Sequence, residues 1–377
     1  MKRICIYVIY DKQNKVNPYV GEVLKEIKKY FEDIWIVCNF SNISEGEEYV
    51  RKYSDNIFFR ENIGFDSGAY KDMITQIIQW EKLSEYDELL LSNDTYFAPI
   101  YPFEEMISTM ENSDCDYWGI TRHPGGYIKE IGEFDAHLQS YFLCFKNEIL
   151  HSKCFRSFWS NYLYANNKWE AIAGFEIGLN KFLVEKGFRG LSYMEKKGFE
   201  IKEKDINPYA QYAYELVKDY RIPIIKKTNF YGNHIWQNNI NHAVAFIEEN
   251  TLYNFSLIKD YIEEYKKKGL IGTYFDFNAM NEFVQLHKRI FVYGAGVWGG
   301  ITKDYLENNH LKFDGFIVTK ADNKCKNEFS KMIINKDDGI IIAQEYEQVC
   351  QEIMEYIGAR VDLDQIFIPC FPTHKRD

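Results

Sequence analysis

The sequence predicts a two-part α/β protein: a large unit on a mainly parallel central sheet, followed by a small C-terminal α/β unit. Three observations carry this expectation. From Arg3 to Leu91, strand-length apolar runs alternate with helix-period stretches, the pattern of a parallel sheet with helices on its faces. Arg3–Tyr10 and Glu88–Leu91 are near-continuous apolar runs, as in strands buried on both faces. After a Gly/Asp/Asn-rich stretch, Gly269–Asn281, the alternation begins again at Arg289.

The elements follow in order. Arg3–Tyr10 is the first strand; its basic start could pass for a leader, but the run ends at Asp11-Lys12 without a small-residue cleavage pattern. Asn17-Pro18 reads as cap and first helical position, with Val20, Val23, Leu24, Ile27 and Phe31 on one face. Ile34–Asn39 and Asn56–Arg60 are strands, Asp72–Leu83 a helix and Glu88–Leu91 a strand. Aromatic strands Asp116–Thr121 and His137–Phe145 then mix with helices such as Phe175–Lys186, and residues 253–268 form a charged helix. Gly269–Asn281 reads as a linker. Beyond it Arg289–Tyr293, Phe313–Val318, Gly339–Ile342 and Gln365–Ile368 are strands, and Val349–Ile357 is a helix. In such sheets the site lies at the carboxyl ends of the strands. That directs attention to Tyr10-Asp11, Asn39, Arg60–Tyr70 and Ser92–Tyr96.

Composition narrows the classes. A chain of 377 residues suits two domains at roughly 100–200 residues each. Its net charge of −11 argues against nucleic-acid binding, which needs a basic face. An aromatic share of 17% suits clefts that hold polar ring compounds. There is no apolar stretch of spanning length. The eight cysteines form no C-x-x-C pair, which favours reduced thiols in a cytosolic protein over disulfides or zinc. The histidines show no metal-ligand spacing.

Four stretches could carry chemistry. Arg60–Lys71 joins a strand to a helix; Gly64 and Gly68 permit close ligand approach, and Asp66 or Ser67 can cap the helix. Read alone, it serves equally as a plain turn. Leu89–Leu91 delivers Ser92-Asn93-Asp94-Thr95 to the sheet edge, where one carboxylate suffices for Mg²⁺ on a diphosphate or simply caps a turn. Glu176 lies near the start of an amphipathic helix carrying Leu179, Phe182 and Leu183, where an acid also complements the helix dipole. Gly294-Ala-Gly296-Val-Trp-Gly299 follows a strand and opens a helix, the context of the Rossmann dinucleotide fingerprint. The acid expected after the second strand is missing from Phe316–Thr319, so NAD is not expected and a structural role is favoured.

The carrying segments are NIGFDSGAYK (Asn62–Lys71), LLLSNDTYFAPIYPF (Leu89–Phe103), DYWGIT (Asp116–Thr121), HLQSYFLCF (His137–Phe145) and FEIGLNKFLVEKGF (Phe175–Phe188). Taken together, the chain resembles the nucleotide-sandwich (GT-A type) glycosyltransferases, and more narrowly the rhamnan synthesis protein F family of polysaccharide rhamnosyltransferases. The fold implied is a GT-A-like domain over 1–268, a linker at 269–281 and a small Rossmann-like accessory domain over 282–377. The resemblance implies an inverting transfer of a sugar, with dTDP-L-rhamnose the favoured donor. The acceptor would be a growing cell-surface polysaccharide or lipid-linked saccharide. The setting would be cytoplasmic, with peripheral association at the inner face of the membrane. Tyr10, Asp11, Arg60, Asn62, Gly64, Asp66, Lys71 and Asn93 would line the donor side, and Lys226 and Lys227 would meet the diphosphate. Asp94 would hold a divalent cation, Mg²⁺ or Mn²⁺. Glu176 would be the base, with His137, Gln139 and Ser140 on the acceptor side. One departure stands out: Ser92 occupies the place where many relatives carry the first Asp of D-x-D. The rival classes are an NAD(P)-dependent sugar-nucleotide oxidoreductase or epimerase centred on Gly294–Gly299, and a non-catalytic sugar-nucleotide-binding partner.

Overall fold

Apolar alternation sets the central sheet. The computed structural model describes residues 1–230, 237–267, 277–323, 325–344 and 347–368. The chain divides into two units, the first Met1–Asn229 with Asn238–Tyr261, the second running on from Ile262. The strands of the first unit's main sheet are β1 (Arg3–Ile9), β2 (Asp33–Cys38), β3 (Asn56–Phe59), β4 (Glu88–Asn93), β5 (Tyr117–Gly119), β6 (Phe142–Lys146) and β7 (Gly190–Ser192). They lie in the order β7-β5-β6-β4-β1-β2-β3. All neighbours run parallel except β6, which is antiparallel to both β4 and β5. β1 is buried at every residue because it is paired on both edges, Ile4 with Asp33 and with Leu89.

One face of this sheet (Ile4, Ile6, Val8, Leu89, Leu91) packs against Tyr70, Met73, Ile74, Trp159, Leu179 and Leu183 from the covering helices. Helix α1 (Pro18–Ile27) starts at Asn17-Pro18 as expected. The helix expected at Asp72 starts earlier. α2 covers Phe65–Asp72, with Gly64 as its cap in a left-handed conformation (φ 74°), and widens into a π-helical turn over Met73–Ile77. Phe65 also takes a left-handed backbone (φ 57°), a strain of about 1–3 kcal/mol that the surrounding packing must hold. Gly68 is therefore helical: a Cβ there would collide with the carbonyl oxygen of Ile63. The expected cap is also corrected, since no side chain caps α2. A second correction concerns Glu176. It does not open a helix but lies in a π-helical turn, Ile172–Ile177, between Lys168–Ala171 and α3 (Gly178–Glu185). The helix dipole of a first turn does not act on it. The expected strand His137–Phe145 is broken into His137–Leu138 and β6.

The second unit has four parallel strands, β8 (Arg289–Tyr293), β9 (Gly315–Ile317), β10 (Asp338–Ile342) and β11 (Ile366–Phe367), in the order β9-β8-β10-β11. The glycine loop follows β8: Gly294 has φ 104°, and a Cβ on Gly299 would collide with the Gly294 carbonyl. The expected linker Gly269–Asn281 lies outside the described residues as far as 276. From Phe277 it is helix α4 (Phe277–Leu286), whose Met280, Phe283 and Val284 join the core of this unit with Ile290, Val292 and Leu306. A domain boundary at 282 would cut through that helix. The seven described cysteines are all unbridged, and among the described residues no helix is long and apolar enough to cross a membrane.

Met280 is fully buried, so a fragment of residues 282–377 should be less stable than one of 268–377. Losing a buried side chain of this size costs about 2–5 kcal/mol. Urea unfolding followed by circular dichroism checks the order, and equal stability of the two fragments would contradict it.

Candidate active site at the carboxyl edge of the sheet

The strand order reverses between β1 and β4, and ligands of open α/β sheets bind in the crevice outside such a reversal. The residues there are Tyr10 and Asp11 after β1, and Asn93 and Asp94 at the end of β4. Asp94 is 6% exposed. Its carboxylate accepts the backbone N–H of Tyr10 and faces the hydroxyl of Tyr19 and the ammonium of Lys227, each at 3.4 Å. Lys227 donates to the Tyr19 hydroxyl at 2.7 Å, and its Nζ lies 5.2 Å and 5.1 Å from the ring centres of Tyr19 and Tyr261. Burial raises the Asp94 carboxyl above its ordinary range, with Lys227 pulling it back. Asp11 turns its carboxylate to the backbone of Gln13 and so shapes the turn after β1.

Next to this pair, Asn93 donates to Asp66 at 2.6 Å and accepts from the hydroxyl and amide of Thr95. Burial, with Asp94 adding to it, pushes Asp66 up to about 6. Lys226 donates to the Thr95 hydroxyl at 2.6 Å and lies over the Tyr141 ring at 4.1 Å. Burial lowers this lysine to about 7, against the attraction of Glu176, Asp66 and Asp94. Lys226 thus senses both the β4 end and Glu176. The antiparallel pairing of Ile225–Lys226 with Tyr96–Phe97 brings it there.

Glu176 forms the far side. One carboxylate oxygen accepts the Ser140 backbone N–H at 2.7 Å and hydroxyl at 2.5 Å; the other faces His137 Nε2 at 3.4 Å. Burial works against its charge, but His137 and Ser140 overcome that and hold it down at about 2. His137 keeps its ring in place through Nδ1 at the Asp135 carbonyl (3.0 Å) and by stacking on His123. Asn180 bonds the Leu138 backbone on both sides and the Glu176 carbonyl, fixing the two segments together. Gln139 is buried and accepts from Thr121 at 2.7 Å.

The remaining expected donor residues make contacts that hold the loop after β3. Arg60 binds Asp72, Asn39 and the Ile63 carbonyl, and Asn39 in turn bonds Asn62 at 3.0 Å. Gly64 lets Tyr164 pack closely. Lys71 donates to the Tyr162 carbonyl. Arg60 and Asn62 thus make their polar contacts around the loop after β3, and Lys71 makes its contact with the distant Tyr162. Tyr141 and Asn180 lie inside the family segments and Thr95 ends the β4 stretch, yet the motifs gave none of them a role; Tyr19 lies outside every motif. The sequence reading also set aside His123, which burial lowers to about 4, with His137 adding to the effect.

The donor set does not suit a divalent cation. Mg²⁺ and Mn²⁺ need open oxygen ligands. Asp94 is surrounded by donors, Asn93 is taken by Thr95, and Ser92 is fully buried between the Tyr96 hydroxyl (2.8 Å) and the Tyr141 carbonyl (3.0 Å). Among the described residues no three His, Cys, Asp or Glu side chains gather as a metal site.

Fold and site together define an α/β protein with its ionisable groups gathered at a topological switch point. The chain belongs to the rhamnan synthesis protein F family, which it matches over residues 34–363. It is 28% identical over 186 residues to uncharacterized protein y4gN of Sinorhizobium fredii (strain NBRC 101917 / NGR234), covering 47% of this chain and 46% of that protein. It thus spans under half the length of that relative. Among solved structures it is similar to the galactosyltransferase LgtC in complex with donor and acceptor sugar analogues, at 13% identity and TM-score 0.32, covering 70% of this chain and 99% of that one. It is also similar to core-mannan synthase A of Aspergillus fumigatus in a Mn/GDP form, at 6% identity and TM-score 0.27, covering 48% of this chain and 69% of that one.

Two outcomes follow from this geometry. Asp94→Ala strands Lys227 in the interior, and removing one partner of a buried ion pair costs about 3–5 kcal/mol; urea denaturation of the full chain measures the loss. Lys226, lowered to about 7, carries its charge below that pH and loses it above. The unfolded chain keeps that proton up to the ordinary lysine range, so stability relative to Lys226→Met should rise from pH 7 to pH 9. Urea denaturation of both proteins at the two values checks it.

Proposed function

We propose that the chain is a glycosyltransferase that moves a sugar from a nucleotide-sugar donor to a saccharide acceptor in polysaccharide synthesis. The observation that carries the reading is one crevice with two lysines at the β4 end and an ionised Glu176 within electrostatic reach of Lys226, in a chain of the rhamnan synthesis family. Family membership favours L-rhamnose from dTDP-L-rhamnose as the donor. It also favours a cell-surface or lipid-linked saccharide acceptor and a cytoplasmic setting at the membrane face.

The chemistry is a single displacement. The bond from the anomeric carbon to the diphosphate oxygen breaks through an oxocarbenium-like state. The acceptor hydroxyl attacks from the opposite face, inverting the centre, and its proton passes to Glu176 as the new bond forms. Lys226 and Lys227 supply positive charge where the leaving diphosphate develops its own. Glu176, held at about 2 by His137 and Ser140, is ionised at any working pH. Its low basicity makes the proton transfer late, and His137 and Ser140 aim the carboxylate. The second unit is assigned an accessory role. Its second strand is followed by Val318-Thr319 with no acid for a ribose, so the redox reading of Gly294–Gly299 gains no support.

Glu176→Gln keeps an oxygen for Ser140 but loses basicity. Loss of a general base costs roughly 10²–10⁴-fold in rate. Turnover should fall by that factor while nucleotide affinity stays within a few-fold. A screen of nucleotide sugars identifies the donor first, and a variant within a few-fold of wild type would place the base elsewhere.

A further inference from the structure

We propose that Lys226 and Lys227, in place of a divalent cation, neutralise the donor diphosphate in this crevice; the inference rests on the donor-site reading above. A metal on a diphosphate requires protein oxygens with open lone pairs and room for water. This edge offers the reverse. The Asp94 carboxylate accepts from Tyr10 and faces Tyr19 and Lys227. A first acid of a D-x-D pair would stand at Ser92, yet that side chain is fully buried within the sheet, between Tyr96 and Tyr141. Asn93 turns its oxygen to Thr95 and its amide to Asp66. The side-chain oxygens of Ser92 and Asn93 and the Asp94 carboxylate already face an N–H or an O–H.

The positive charge that a metal would bring is present in the chain itself. With Lys226 protonated, the two consecutive ammonium groups carry the same formal charge as one divalent cation, Asp94 offsetting part of it at Lys227. The pairing of Lys226 with Tyr96 sets the first beside Thr95, and the 3₁₀ turn that begins at Lys227 sets the second against Asp94 and Tyr19. Asp94 then acts as a positioning residue: it holds Lys227 at the strand end and is not a ligand. Ammonium–phosphate contacts are charge-assisted and strong in a site of low dielectric.

The test titrates the full chain with dTDP, and with UDP in parallel, by calorimetry in EDTA and again in excess Mg²⁺ or Mn²⁺. Manganese paramagnetic resonance reads metal capture directly. The expected result is an affinity that agrees within about twofold with and without metal, with no protein-dependent change in the manganese signal. Lys226→Met should weaken binding at least tenfold. Lys227→Met should do the same, and if it does not fold, Lys227→Arg, which keeps the charge, should retain most of the affinity. Binding that appears only with metal, or rises tenfold or more with it, overturns the inference and leaves the donor-site reading standing. Binding of neither nucleotide under any condition overturns both.

Discussion

The crevice depends on one buried ion pair. Asp94 and Lys227 lie 133 residues apart in sequence, and Tyr19, on α1, bonds to both sides of the pair. Together these groups bind the end of β4, the turn after β1, the first helix and the Ile225–Lys226 strand into one edge. Such a pair adds little net stability compared with an apolar substitute, because desolvation offsets attraction. What it contributes is placement: neither charge can shift without leaving the other buried and alone. Lys226 inherits its place from this arrangement, since it precedes Lys227 and shares the short ladder with Tyr96.

The far side is organised by backbone shape. A π-helical turn gives Ile172–Ile177 a broader turn, with i→i+5 bonds, than an α-helix would. Asn180 locks that segment to Leu138, so Glu176 meets Ser140 and His137 together. On the near side, the loop after β3 is rigid for another reason. Arg60 knots it to Asn39 and Asp72, while the left-handed turn at Gly64 and the close contact at Gly68 let α2 begin seven residues before the expected start. Asp66 thus rides on the first turn of a helix pressed against the sheet and reaches Asn93.

The sequence by itself determined most strands of the two main sheets, though not β7 or the break after Leu138, and the edge on which the site lies. Burial on both faces leaves a continuous apolar run, and a run that ends in polar residues marks a strand's exit, so β1, β4 and β8 were legible to within about two residues. The five family segments gathered Asp66, Asn93, Asp94, His137, Ser140 and Glu176 in chain order. Only the tertiary structure decided what these residues face. It brought Lys227 to Asp94, Lys226 to Thr95 and Glu176 to Ser140, and it turned Arg60 and Lys71 to structural contacts. It also started α2 behind a glycine cap and began α4 at Phe277, inside the expected linker. The physical reason is range. Periodicity and capping report on neighbours within a turn or a strand, whereas a charge's partner, proton affinity and open lone pairs are set by whatever distant segment folds against it.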